Sequence, residues 1–374
     1  MSEIFILADE VEGAARHEQD QSVGICPVHI ERCWRFGDST NALRIRRAVM
    51  TYKPDVVFFN IQFATFADKR IPAALGLLTP TLLGLGGVKT VVLLHNIMET
   101  VNLKKAGFGG NPLLEALTRI SGRVITQMLL SADLVAVTIP KYVEILTGKY
   151  GSDRVVLAPH GAFEDIPAPS SDLPSGPLQI MTFGKFGTYK RVEALIEAFS
   201  LLKERCSQPL ELVIAGTDSP NTPGYLKRVE EQYAQVSGIR FTGYVAEEDV
   251  AHTFQNAAVV VFPYNSTTGS SGVLHQAGSY GKAVALPNLG DFAELIGEEG
   301  YTGEFFEPDN PESMATAIQR FIEDPAHRQH CGMQNYVAAS GLPMSEVIDW
   351  YLLHFERLLR PIEQRTNQLS REVI

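Results

Sequence analysis

Short apolar runs recur along this chain, each separated from the next by a stretch of helical spacing, and that rhythm leaves few folds open. In the first half the runs are Ile4-Leu7, Val56-Asn60, Val91-Leu94, Leu134-Thr138 and Val155-Ala158, with a helix expected around Ala42-Met50. A loop rich in Pro, Ser and Asp, Ile166 to Pro177, interrupts the pattern and reads as a linker. Beyond it strands are expected at Leu178-Phe183, Glu211-Ala215, Ile239-Phe241, Val259-Phe262 and Ala283-Leu286. Helices are expected at Val192-Lys203, Thr222-Gln235, Glu247-Gln255 and Ser345-Arg360. Strand, helix and strand in alternation predict an α/β protein of two doubly wound domains. Ligands of such folds bind outside the carboxyl ends of the strands.

Composition narrows the partners. The net charge of −11 argues against nucleic acid, whose phosphates call for basic patches. That charge sits mostly in the second half: 17 basic and 18 acidic residues lie up to Ser175, against 15 and 25 from Gly176 onward. Four scattered cysteines form neither a zinc motif nor a disulfide framework, and a cytoplasmic setting is expected. The apolar segment Ile71-Val88 is broken by prolines and glycines and is expected to be a core helix and loop, not a membrane span.

Two turns carry chemistry. Residues 259–286, VVVFPYNSTTGSSGVLHQAGSYGKAVAL, read as a strand, a small-residue loop, a helix and a second strand. Unpaired N–H groups and the helix dipole at the start of that helix favour a phosphate or diphosphate. Gly269 and Gly272 allow close approach, and the Ser270 and Ser271 hydroxyls can donate. An ordinary βα turn has the same outline. In the other turn, the run Leu178-Phe183 leads into Gly184-Lys185-Phe186-Gly187 and then Lys190-Arg191. These cations could hold a diphosphate or could simply cap a helix in solvent.

Together the blocks resemble the nucleotide-sugar-binding half of retaining glycosyltransferases of family 4 (group 1), which have the GT-B fold. Phe183-Gly184-Lys185 through Lys190, with Ile196-Glu197-Ala198-Phe199, is similar to the family's G-R-…-K-G-…-I-E-A-F block. Leu212-Val213-Ile214-Ala215-Gly216, residues 239–245, the 259–286 loop and helix, and Gly303-Pro308 with Pro311-Glu312 resemble four further blocks in the same order. The resemblance is good from Leu178 to Glu323 and loose before that. It implies two Rossmann-like domains facing a cleft, residues 1–170 on the acceptor side and 171–343 on the nucleotide-sugar side, with 344–374 returning to the first.

The resemblance also implies roles. Lys185 and Lys190 would clamp the diphosphate and stabilise the leaving group, with Arg191 next in register. Gly184, Gly216, Thr268, Ser270, Ser271, Gly272, Val273 and Gln276 would line the site of the sugar donor. His95, in Leu93-Leu94-His95-Asn96, would face the donor sugar. His160 is read as structural and His275 as a supporting residue. No metal or cofactor is expected, because lysines and a helix N-terminus supply the positive charge; the nucleoside-diphosphate sugar is a co-substrate. The acceptor is open among saccharide, lipid-linked saccharide and small molecule. Arg44, Arg46, Arg47, Lys104 and Lys105 hint at a peripheral membrane contact through the first domain, though solvated helix faces account for them equally well.

The chain departs from the family at both signature glutamates: Thr268 and Gln276 stand in their places. It also opens without the usual strand, glycine-rich loop and helix, so that the first βα unit is either degenerate or missing. These departures keep a second expectation open, a non-catalytic nucleotide-sugar-binding or scaffold subunit. A dinucleotide oxidoreductase is a distant third, since Gly84-Leu85-Gly86-Gly87 lacks the full fingerprint.

Overall fold

A computed structural model describes residues 2–20, 26–97, 112–158, 161, 168–169, 172–266, 271–341 and 343–360. Its contacts divide the chain into two units, Met1–Ala158 with the chain from Trp350 onward, and Pro159–Asp349. The expected boundaries stood at 170 and 343.

The first unit begins with β1 (Ile4–Asp9), β2 (His17–Asp20) and β3 (Val28–Trp34), a three-stranded sheet in the order β1-β3-β2. β1 and β3 run parallel, and β2 lies antiparallel on the far edge of β3. The first βα unit is thus degenerate: β1 is present, and among the described residues a polar strand, not a helix, lies between it and β3. Glu31 is buried on β3, where it accepts from the Tyr52 hydroxyl at 2.8 Å and from Arg16 Nε at 3.3 Å, with His17 against it. A buried carboxylate needs such partners, and here they come from two different segments, the start of β2 and the end of α1.

Next come α1 (Asn41–Tyr52), β4 (Val56–Ile61), α2 (Arg70–Leu77), α3 (Thr79–Leu85), β5 (Lys89–Leu94), α4 (Pro112–Leu129), β6 (Leu134–Val137), α5 (Pro140–Tyr150) and β7 (Val155–Leu157). β4-β5-β6-β7 form a parallel sheet. Pro80 separates α2 from α3, since it has no N–H for the Gly76 carbonyl. The Thr79 hydroxyl takes that carbonyl instead, at 2.5 Å. The expectation of a core segment for Ile71-Val88 is corrected here: Leu77 and Leu83 are buried, but Ile71, Leu75, Leu82 and Leu85 are exposed.

The second unit holds β8 (Leu178–Phe186), α6 (Glu193–Arg205), β9 (Leu210–Asp218), α7 (Tyr225–Gln232), β10 (Ile239–Gly243), α8 (Glu247–Asn256), β11 (Ala257–Val261) and α9 (Gly272–Ser279). β12 (Ala283–Pro287), α10 (Asp291–Glu298), β13 (Glu304–Phe306), α11 (Pro311–Glu323) and α12 (Pro325–Ser340) follow. Six parallel strands lie in the order β10-β9-β8-β11-β12-β13. Successive residues on a strand serve opposite faces. Ile180, Leu212, Ile214, Val259 and Val261 join Phe199 of α6 and Phe321 of α11 on one face. Met181, Val213, Val260 and Val284 join Phe254 of α8 and Leu274 of α9 on the other. β11 and β12 are buried throughout, which is why they read as unbroken apolar runs. α11 is well marked: Asn310 caps it by accepting from Ser313 N at 3.0 Å, Pro311 opens it, and Arg320 sits in its last turn.

The last helix, α13 (Met344–Leu359), passes into the first unit at Trp350. There the Tyr351 ring meets Phe58 of β4 edge-on at 4.9 Å, and Phe355 lies 6.1 Å from the same ring.

Candidate functional site

In the second unit the strand order reverses between β8 and β11. The chain leaves β8 for α6 on one face of the sheet and leaves β11 for α9 on the other. Diverging connections open a crevice at the carboxyl ends of two neighbouring strands, the usual place for a ligand in a doubly wound sheet. Both turns singled out in the sequence end there.

Backbone bonds stitch the two turns together. Arg191 N donates to Pro263 O and Asn265 N to Tyr189 O, each at 3.0 Å, around an antiparallel bridge between Lys190 and Tyr264. Gly187 N donates to Lys190 O at 2.9 Å and closes the turn after β8. The Lys190 ammonium then lies 4.8 Å from the centroid of the Tyr264 ring and 5.8 Å from that of Tyr189. Ring faces attract the cation, but no carboxylate pairs with it among the described residues, and burial lowers its pKa. Lys190 is therefore a half-buried cation held by neutral groups, and an anion would relieve its desolvation.

Glycine is required beside it. A Cβ on Gly184 (φ 140°) would stand 3.1 Å from Lys190 Nζ, and one on Gly216 (φ 135°) only 1.9 Å from the Gly184 carbonyl oxygen. Gly184 and Gly216 are paired in register at the ends of β8 and β9, so both residues set how closely the strand ends approach. Lys185, one residue on, is exposed opposite Thr217. Arg191 is engaged elsewhere: its guanidinium donates to Glu193 at 2.7 Å, which raises its pKa, and Glu193 also accepts from the Tyr225 hydroxyl at 2.5 Å. Of the two neighbouring cations, Lys190 is the one turned to the crevice loops.

On the α9 side, Ser271 occupies the N-cap position with extended dihedrals, yet its side chain does not cap the helix. Among the described residues, the Gly272 and Val273 N–H groups thus start the helix without a side-chain partner. The buried Tyr264 hydroxyl, raised in pKa by its burial, has the Ser271 side chain beside it. Lys190, Tyr264 and Ser271 consequently follow one another from the β8 turn to the start of α9. Gln276 is half-buried on α9, one turn beyond Gly272. Thr268 and Ser270 lie outside the described residues, as does His160. His275 points away into the core: its Nδ1 lies 2.8 Å from the Tyr301 hydroxyl and its Nε2 3.7 Å from Glu299.

His95 belongs to the first unit, just past the carboxyl end of β5. Its Nε2 is 2.5 Å from Asn60 Oδ1 at the end of neighbouring β4, and its N–H donates to Ile61 O at 3.1 Å. Sequence reasoning passed over Asn60, Tyr189 and Tyr264. Only the proline before Tyr264, marking the end of an apolar run, hints at the last of these.

Solved structures share this architecture. The chain is similar to sucrose-phosphate synthase from Thermosynechococcus elongatus, with TM-score 0.72 and 17% identity over 95% of this chain and 88% of that one. It is also similar to Anabaena HepE, solved in complex with UDP-glucose, with TM-score 0.66 and 15% identity over 88% and 86%. The fold is GT-B, the two-Rossmann architecture of these glycosyltransferases. Residues 165–337 match the family described as glycosyl transferases group 1, and the chain carries a domain of that family. Among curated proteins it is 24% identical to D-inositol 3-phosphate glycosyltransferase of Nocardiopsis dassonvillei over 70% of its own length, spanning 63% of that relative.

Proposed function

We propose that the protein is a retaining glycosyltransferase that uses a nucleoside-diphosphate sugar without a metal ion. The observation that carries this reading is the seating of Lys190 on Tyr264, at the strand-order reversal and beside the uncapped start of α9. The diphosphate would lie on Ser270–Val273, with Lys185 and Lys190 as counter-charges and glycine at 184 and 216 giving it room. When the bond between the anomeric carbon and the phosphate oxygen breaks, negative charge grows on the diphosphate. Cations fixed there beforehand lower the barrier. Gln276 would accept a ribose hydroxyl, and Thr268 would approach the sugar. Retention would follow from same-face attack by the acceptor on a cation-like sugar. The UDP-glucose complex of HepE supports a UDP-sugar as the first donor to try.

Thr268 and Gln276, standing where the family has glutamates, favour the second reading, a nucleotide-sugar-binding subunit without turnover. Thermal stabilisation by a panel of UDP- and GDP-sugars identifies the ligand, because binding raises apparent stability by mass action. Release of nucleoside diphosphate by wild type and by Lys190→Ala then decides between the two. Turnover that Lys190→Ala abolishes supports the enzyme; stabilisation with no release in any acceptor mixture supports the binding subunit; turnover unchanged in Lys190→Ala removes the proposed clamp.

A further inference from the structure

The helices of the first unit carry a surface that the nucleotide reading does not use. α1 packs on α2 and α3, and α4 packs on both of these; the Thr81 hydroxyl ties α3 to the Met128 carbonyl of α4 at 2.8 Å. Each helix buries one face and turns a stripe outward. On α2 and α3 that stripe is Ile71, Leu75, Leu82 and Leu85, with Ile71 72% and Leu85 83% exposed. On α4 it is Ile120, Val124 and Met128, at spacings of four with Arg123 alongside. On α1 it is Leu43 and Met50, one helical heptad apart, with Arg46 and Arg47 between them.

Scattered exposed hydrophobics are ordinary, but nine large ones on four helices packed against one another are not. Charge identifies the partner. These four helices contain six arginines and one glutamate in a chain whose net charge is −11. Arg46, Arg47 and Arg123 are exposed and have no carboxylate partner among the described residues. Arg44, which the sequence had suggested for a basic surface, is instead held by Asp38 at 3.2 Å and by Glu10. A second copy of this face would set arginine against arginine. An anionic bilayer surface offers counter-charge to the arginines and an apolar interior to the leucine and isoleucine tips. Among the described residues no helix is long and apolar enough to cross a membrane, so the contact would be peripheral.

We propose that the outward face of α1–α4 docks the protein on an anionic lipid surface. None of its residues belongs to the nucleotide-binding unit, so the inference stands apart from the proposed activity. The test is co-sedimentation of the intact protein with vesicles of phosphatidylcholine, alone or mixed with an equal amount of phosphatidylglycerol. Wild type is expected to pellet with the mixed vesicles and to be released as salt is raised. Ile71→Asp with Leu85→Asp should weaken partitioning by about tenfold or more, and Arg46→Glu with Arg47→Glu should abolish the anionic preference. These side chains are exposed, so the melting temperature and nucleotide binding of the variants should match wild type. Failure to pellet with anionic vesicles overturns the proposal. So does equal pelleting by the aspartate variant, or a dimer in analytical ultracentrifugation that the same variant dissolves.

Discussion

Gly216→Ala tests whether the strand ends at the crevice are held as closely as described. Alanine at φ 135° enters a region open essentially to glycine alone, at a cost of about 1–3 kcal/mol. Its Cβ would also stand 1.9 Å from the Gly184 carbonyl oxygen, and that neighbour is backbone and cannot swing aside. Forcing β8 and β9 apart adds about 1–3 kcal/mol by analogy with overpacked cores. The sum, about 2–6 kcal/mol, is a large part of the ~5–15 kcal/mol that holds a domain folded. At ~2–4 °C per kcal/mol for a domain of this size, melting should fall by about 5–20 °C. Gly243→Ala is the control: φ is 68° and a Cβ would meet nothing within 4 Å, so only the left-handed penalty of about 1–2 kcal/mol applies. Both variants are measured by calorimetric melting, with and without UDP-sugar. Gly216→Ala should melt well below Gly243→Ala and should lose ligand stabilisation, because Gly184 and the Lys190 ammonium beside it move with the strand. Equal melting of the two variants would refute the close approach.

Other expectations follow from single groups. Lys282 is buried, donates to Gln255 O at 2.8 Å, and has its pKa pushed down to about 8 by burial and by nearby Arg328. Between about pH 8 and 10.5 the unfolded chain keeps a proton that the folded chain has released, so stability rises with pH across that window. The charged form costs about 3 kcal/mol below it. Urea unfolding of Lys282→Met should show a shallower rise over that window than wild type, and identical slopes would contradict the assignment. The buried Tyr351 hydroxyl has no hydrogen-bond partner among the described residues, so Tyr351→Phe should leave stability unchanged or raise it by about 1 kcal/mol, whereas a loss would show the hydroxyl to be satisfied. Tyr264→Leu should weaken nucleotide binding and Tyr264→Phe should preserve it, since the ring face holds Lys190; equal loss in both would place the effect in the hydroxyl.

Most of the second unit was legible in the sequence because its central strands are buried on both faces. Such strands, β11 above all, appear as unbroken apolar runs between turn residues. The first unit concealed more. β2 reads His-Glu-Gln-Asp and has no apolar side at all, and β3 buries a glutamate whose partners lie on other segments, so neither shows strand alternation. Ile71-Val88 misled in the opposite sense, since high hydrophobicity stood in for burial although half of its large side chains face outward. At the candidate site, strand-end chemistry singled out Gly184, Lys190 and Ser271 but left an ordinary βα turn or helix cap open, and their roles came from the family resemblance. Tyr264 was not singled out, because an aromatic after a strand is ordinary, and its role depends on a bridge to a residue seventy-four positions earlier. Lys190 already ranked ahead of Arg191 in the sequence; the Glu193 ion pair supplies a physical reason, since it occupies the Arg191 guanidinium.

The central claim is that Lys190 waits for a diphosphate. Calorimetric titration of UDP into wild type and Lys190→Met tests it most directly, with melting curves to confirm that the variant is folded. A charge-assisted contact to phosphate is worth ~1.5–3 kcal/mol, so affinity should fall by about tenfold to a hundredfold while the melting temperature of the free protein holds or rises. Equal affinity in a folded Lys190→Met protein would contradict the account.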